Sequence, residues 1–192
     1  MSGLLQPGPL LTTGRLELWQ PRPSDLPDLF ELTRSDEARR YLSSLVPSQR
    51  DSFARLYRNA GSWALHGYGI FMVRLRGQPQ IVGTCGIFRS HRGFGAELGL
   101  DDVAEAGWII HPAHWGQGIA REAMEAALAW FDETHGNQRI ACMIEVGHAA
   151  SEALAGKLGF AEYARHEPEG EAELVLYQRD KASRPRPSSG WY

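Results

Sequence analysis

A strand-like run, a glycine-spaced turn, a long amphipathic helix and a second strand-like run follow one another between Glu105 and Val146. That succession constrains the fold most. Glu105–Ile110 is apolar and strand-forming, Gly118–His135 carries Ala120, Ala123, Met124, Ala127, Leu128 and Phe131 on one helical stripe, and Arg139–Val146 is again strand-forming. Two strands joined through a helix must lie parallel in the sheet. The turn itself, Trp115-Gly116-Gln117-Gly118-Ile119-Ala120, opens the helix directly. Amides at such a helix start point one way, and the macrodipole adds partial positive charge, so a phosphate or diphosphate can bind there without a lysine. The Lys-Ser/Thr ending of the nucleoside-triphosphate loop is missing, and the spacing is one residue short of the dinucleotide fingerprint. A turn with a purely structural role is the alternative.

Around this unit the chain reads as a mixture of strands and helices. Leu10–Trp19 is expected as a first strand, with Leu16 and Leu18 alternating against Glu17. Pro21-Arg22-Pro23-Ser24-Asp25 reads as a breaker with a helix cap, and Leu26, Leu29, Phe30 and Leu32 recur at helical spacing behind it. Ser48 can cap a second helix running to about His66. Ile70–Leu75 and Gln80–Phe88 flank Gly77-Gln78-Pro79 as a hairpin, and Arg89–Asp102 reads as a long loop. Ala149–Leu158 is a short helix stopped by Gly159, and Ala161–Arg165 with Ala172–Tyr177 forms a closing antiparallel pair. Residues 1–9 and 181–192 are rich in Gly, Pro and Ser and are expected to be loose, leaving one domain over 10–180. The order of elements gives an α+β fold with a mixed sheet and one parallel crossover.

Composition narrows the partners. The chain has 192 residues and a formal net charge of −3, with scattered basic residues. No nucleic-acid or membrane partner is therefore expected. No apolar run approaches the roughly 18 residues of a membrane span, and no signal peptide opens the chain, so a cytoplasmic protein is expected. Cys85 and Cys142 sit far apart in apolar runs and read as buried free thiols. His111 and His114 lie close in sequence but lack a third ligand nearby, so no metal is expected.

Further residues carry a resemblance. Ala104-Glu105-Ala106-Gly107-Trp108-Ile109-Ile110-His111-Pro112 precedes the turn, Arg121-Glu122-Ala123 follows it, and Ser151 with Lys157-Leu158-Gly159-Phe160 lies some thirty residues on. Together these resemble the GNAT superfamily of acyl-CoA-dependent N-acyltransferases, in particular its ribosomal-protein-alanine acetyltransferase-like (RimJ/RimL-type) branch. The family's phosphate motif is Gln/Arg-x-x-Gly-x-Gly/Ala, and here Trp115, Gly118 and Ala120 occupy its fixed positions. The likeness runs from about Thr12 to Gln178. It implies a central, mostly antiparallel mixed sheet flanked by helices, whose two parallel middle strands, here Glu105–Ile110 and Arg139–Val146, splay to admit the pantetheine arm of acetyl-CoA.

The resemblance also implies roles. The N–H groups of Gln117, Gly118, Ala120 and Arg121 would hold the diphosphate, and the main chain of Trp108, Ile109 and Ile110 would meet the pantetheine amides, their side chains packing in the core. Ser151 matches the serine of the family's Asn-x-x-Ser pattern and would protonate the departing thiolate. The alternative is a serine that caps its own helix. His148 stands where that pattern has asparagine, a departure that leaves one imidazole hydrogen bond to the cofactor in its place. Arg121 and Lys157 either meet a ribose phosphate or face solvent.

Acyl transfer needs a neutral amine, although a lysine-type amine has a pKa of about 10.4. Glu105 is the first candidate for its proton, and the alternative is a residue that merely begins the strand. Glu97, Asp101 and Asp102 could substitute, or lend the mouth a negative field that attracts a cationic acceptor. Tyr41, Trp63, Tyr68 and Phe71 either line the acceptor pocket or belong to the core. The implied activity is direct acetyl transfer from acetyl-CoA to a primary amine, of a small molecule or a protein N-terminus. A non-catalytic acyl-CoA-binding module is the rival, transfer of a longer acyl group a variant, and a homodimer the assembly to test.

Overall fold

A computed structural model describes residues 8–41, 47–170 and 172–179. Apart from Gly8 and Pro9, the expected loose N-terminal segment and C-terminal tail lie outside the described residues.

Strands β1 (Leu11–Thr12) and β2 (Leu16–Trp19) are followed by α1 (Leu26–Arg34), α2 (Asp36–Arg39), α3 (Gln49–His66), β3 (Ile70–Leu75) and β4 (Ile81–Arg89). Then come β5 (Ala104–Ile110), α4 (Ile119–His135), β6 (Ile140–Glu145), α5 (Ala149–Lys157), β7 (Ala161–His166) and β8 (Leu174–Arg179). The eight strands form one sheet in the order β1-β2-β3-β4-β5-β6-β8-β7. All neighbours are antiparallel except β5 and β6, which are parallel as the helical crossover requires.

The β3 side chains alternate between two layers. Phe71 and Val73 pack into a cluster with Ala123, Met124, Ala127 and Phe131 of α4, while Ile70 and Met72 join Leu29 and Leu32 of α1 and Leu56 of α3. Helices therefore cover both faces, and α4 buries the stripe expected of it. Ser48 caps α3 as expected, its hydroxyl accepting from Asp51 N while Asp51 accepts from Ser48 N, a box worth about 1 kcal/mol. Gly159 ends α5 at φ +83°, with Phe160 N reaching back to Ala155 O.

Two expectations are corrected, and two further features lie beyond the sequence reading. The first strand is not continuous: the chain turns at Thr13–Arg15, where the Thr13 hydroxyl accepts from Leu16 N, and β1 folds back on β2. Asp25 does not cap α1; its carboxylate accepts from Arg22 N at 2.7 Å and from Arg74 at 2.5 Å, a buried ion pair that ties the entry of α1 to β3. A short helix, α2, follows α1, started by the Ser35 hydroxyl accepting from Ala38 N. The last strand, β8, inserts between β6 and β7, a placement no local pattern signals.

Candidate active site

The parallel ladder between β5 and β6 is two residues long, pairing Ala104 with Ile140 and Glu105 with Ala141. Beyond Glu105 the strands separate while each keeps its outer neighbour, β5 on β4 through Ile110 and β6 on β8 through Glu145. The sheet is thus forked, and an unsatisfied strand edge faces into the opening. A cavity of about 1550 Å³ occupies the fork and continues beneath α3, with Glu105, Trp108, Ile109, His148 and Ser151 among the residues lining it.

Glu105 stands at the apex of the fork and is 3% exposed. Its carboxylate accepts from the Ser90 hydroxyl and from Arg92 through Nε at 3.1 Å and Nη2 at 2.5 Å. Neither Ser90 nor Arg92 carries a sequence signal as its partner, because both lie on the long loop after β4. Asp101 is not available as a base: its carboxylate accepts from the backbone N–H groups of Arg92, Gly93 and Gly95 and so folds that loop. Glu97 and Asp102 do not line the cavity either.

Across the fork, the Ser151 hydroxyl accepts from the indole Nε1 of Trp108 at 3.3 Å. The serine is therefore not capping α5, which has no side-chain cap, and its own hydrogen remains to be donated. Trp108 and Ile109 are half-buried, packing against the core while lining the opening, and Ile110 is buried. The Ile110 carbonyl accepts from Trp115 Nε1 at 2.7 Å, which removes one of the strand groups expected to meet a ligand. His148 is half-buried and stacks on Tyr41 with ring centroids 4.1 Å apart. Burial pushes its pKa down, and the nearby Glu152 charge only partly opposes this. Tyr41 lines the cavity, whereas Trp63 and Phe71 are core residues.

At the head of α4, Gly116 and Gly118 adopt φ +71° and +75°, a left-handed conformation that favours glycine. Gly118 is the N-cap and supplies no side chain. Its carbonyl accepts from Glu122 N, while the N–H groups of Gly118, Ile119, Ala120 and Arg121 have no hydrogen-bond partner among the described residues. The Gln117 carbonyl accepts from Arg15 Nη1 at 2.9 Å. Arg15, from the β1–β2 turn, also pairs with Glu122 at 2.7 Å and so brings a cation to the helix start. No local motif marks Arg15; its partner is 107 residues away. The Arg121 guanidinium turns along the helix to Glu125 at 2.8 Å. This turn does not line the cavity.

Among the described residues, no cluster of His, Cys, Asp and Glu could hold a metal ion, and no helix is long and apolar enough to cross a membrane. Both cysteines are buried free thiols, and burial pushes them well above their usual range. The arrangement offers a helix start with free amides, an open strand edge, and a carboxylate and a hydroxyl facing one opening.

Comparison with known proteins accounts for that combination. Residues 15–161 match the acetyltransferase (GNAT) domain family. An uncharacterised N-acetyltransferase of Bacillus subtilis, YoaA, is 27% identical over 88% of this chain and 89% of its own. A solved Bordetella pertussis structure described as of the GNAT family is 30% identical and covers 88% of this chain and 98% of its own, with a TM-score of 0.79. The RimL ribosomal alpha-N-protein acetyltransferase in complex with coenzyme A shares the fold at a TM-score of 0.71 and 18% identity, over 90% of this chain and 97% of its own. The chain belongs to the GNAT acetyltransferase family.

Proposed function

We propose that this chain performs the family's acetyl-CoA-dependent N-acetyl transfer by direct attack of a primary amine within the β5–β6 fork, without a covalent enzyme intermediate. One observation carries the reading: the two-residue ladder leaves an open strand edge that runs from the carboxylate of Glu105 towards the turn before α4. The unpartnered amides of Gly118 through Arg121 suit a diphosphate, with Arg15 adding charge beside them. The edge of β5 at Trp108 and Ile109 suits the pantetheine amides. Such placement brings the thioester to the apex, where holding amine and acyl group together can lower the barrier by roughly 7–11 kcal/mol.

The proton inventory follows from the side chains. The Ser90 hydroxyl lines the cavity and donates to Glu105, so it connects an incoming ammonium to that carboxylate. Ser151 keeps a hydrogen for the departing thiolate while Trp108 fixes its oxygen. His148, whose pKa burial pushes down, has an imidazole N–H to offer the cofactor where the family's pattern has asparagine. A thiol nucleophile is disfavoured because Cys85 and Cys142 are both buried. The two free thiols also suit a reducing cytoplasm, and one acyltransferase domain over residues 10–180 suffices for the site.

Steady-state kinetics across pH test the proton route. Glu105→Gln and Ser90→Ala should each lower kcat by about 100-fold at pH 7. The deficit should shrink towards the amine's own pKa of about 10.4. A loss of equal size at every pH would instead make Glu105 a positioning residue for Arg92.

A further inference from the structure

A negatively charged chain lines the cavity at its fork with arginine. The net charge is −3, yet six arginines face the cavity (Arg39, Arg40, Arg55, Arg58, Arg89 and Arg92) against three carboxylates. Two of those carboxylates are spent, Asp36 on Arg39 and Glu105 on Arg92. Arg55 is half-buried and has no hydrogen bond or ion pair among the described residues. Its pKa is lowered first by burial and then by the charges of Arg58 and Arg92, which line the same cavity.

Within α3 the placement opposes stability. Arg55 and Arg58 are three residues apart on one face, where like charges repel, and α3 also turns Asn59, Ser62 and His66 towards the cavity, with Leu65 as its one large apolar lining residue. A desolvated guanidinium with five donors and no acceptor is costly unless a ligand supplies the counter-charge. The cofactor's diphosphate does not supply it, because the turn that suits the diphosphate lies outside the cavity lining. Of the loop carboxylates expected to draw in a cationic acceptor, Glu97, Asp101 and Asp102 are absent from the lining, Asp101 being consumed by loop amides, which leaves Glu145 as the one lining carboxylate without an ion pair among the described residues.

We infer that the acceptor is an anionic amine, whose carboxylate or phosphate docks on Arg55 and Arg58 of α3 and on Arg92 of the β4–β5 loop while its amine faces the apex of the fork. The inference rests on the reading of this cavity as the acceptor site. The planar guanidinium fork binds either anion through two parallel hydrogen bonds, and the partly dry wall strengthens them. Because Arg92 is itself held by Glu105, anion and proton acceptor are set at a fixed separation. Polyamines and polycationic amines would meet like charge in this cavity and are excluded as good acceptors.

The test uses pairs of amines that differ only in the anion: glutamate against its diamide (glutamine amide), and phosphoethanolamine against ethanolamine, with spermidine as the cationic arm. With acetyl-CoA saturating, kcat/KM for thiol release should be tenfold or more higher for the anionic member of at least one pair. The two pairs separate carboxylate from phosphate. In Arg55→Gln and in Arg58→Gln that ratio should fall to about twofold while coenzyme A affinity by calorimetry is unchanged. Spermidine turning over best, or both variants losing every acceptor equally, would overturn the inference.

A second arm does not depend on turnover. Inorganic phosphate and glutamate are titrated into the coenzyme A-bound protein by calorimetry, with folding of each variant checked by circular dichroism. Saturable binding that Arg55→Gln weakens by tenfold supports the anion site even if no amine is acetylated, a result that would sink the catalytic reading alone. No binding of either anion to the wild-type protein overturns the inference while leaving acetyl transfer standing.

Discussion

Gly118 holds φ +75° at the start of α4, a left-handed conformation that favours glycine over residues with a Cβ. Its carbonyl accepts from Glu122 N, and its amide begins the series of four left without partners. A valine would be strained there whatever the surrounding space, since β-branched side chains tolerate positive φ worst. The turn would relax by rotating the Gly118–Ile119 peptide and dispersing the amides. Gly118→Val should therefore weaken coenzyme A binding by tenfold or more, about 1.4 kcal/mol, read by calorimetry on a variant with native circular dichroism. Undiminished affinity would move the diphosphate away from this turn. The residue-scale chemistry at this point was legible in sequence because it is local: a glycine pair, a helix start and a β-strand before it. Arg15 was not legible, because nothing in Thr13-Gly14-Arg15 indicates that its guanidinium ends on Glu122. The same holds for Arg92 and Glu105, and for the arginine lining of the cavity, which the scattered basic residues of the sequence do not announce.

At the scale of elements, the β1–β2 turn is fastened to the first turn of α4 through one carboxylate. Glu122 accepts from the Thr13 hydroxyl at 2.5 Å, from Arg15 N at 3.0 Å and from Arg15 Nε at 2.7 Å. Burial alone would raise its pKa, but the hydrogen bonds from Thr13 and Arg15 and the Arg15 charge outweigh that and lower it. A carboxylate depressed on folding contributes stability that is complete above its unfolded pKa, about 4.3, and is lost as pH falls through the folded value. Glu122→Gln should cost about 1 kcal/mol near pH 7, since the group is partly exposed, and should lower Tm by roughly 2–4 °C. The two proteins should converge in Tm below pH 4; a deficit that persists unchanged into acid would mean that packing, not charge, holds the turn. Helices and strands with their own caps and periodicities were readable here, as Ser48 of α3 and Gly159 after α5 demonstrate. The break in the first strand was not, because Leu16 and Leu18 keep strand periodicity while the turn depends on the Thr13 hydroxyl accepting from Leu16 N. Ser151 was read as cap, acid or plain cofactor contact, and only the structure, which shows no side-chain cap on α5 and places its hydroxyl on Trp108, removes the first.

The whole molecule is a forked sheet whose two ends are stabilised separately. On one side β6, β8 and β7 pair among themselves, and on the other β1 to β5 form a continuous antiparallel run, with the short parallel ladder as the backbone link between them. Sequence reading reached the parallel crossover but not the insertion of β8, because strand order is decided by which buried faces meet late in the chain rather than by any local pattern. The layer of α1 and α3, of which α3 lines the cavity, rests on β3 partly through Asp25 and Arg74. Asp25 is 2% exposed and Arg74 8%, and the Arg74 guanidinium also donates to Pro79 O, while its Nη1 has no partner among the described residues. A pair so buried adds little net stability, since desolvation offsets attraction, but breaking it leaves a lone charge in a dry environment. Asp25→Ala should therefore cost about 3–5 kcal/mol, measured by urea unfolding, and lower Tm by roughly 10 °C. The double variant Asp25→Ala with Arg74→Met removes both charges and should recover most of that loss. A double variant no more stable than Asp25→Ala would assign the cost to the hydrogen bond from Arg22 N to Asp25, making that loop the element that seats α1 on the sheet.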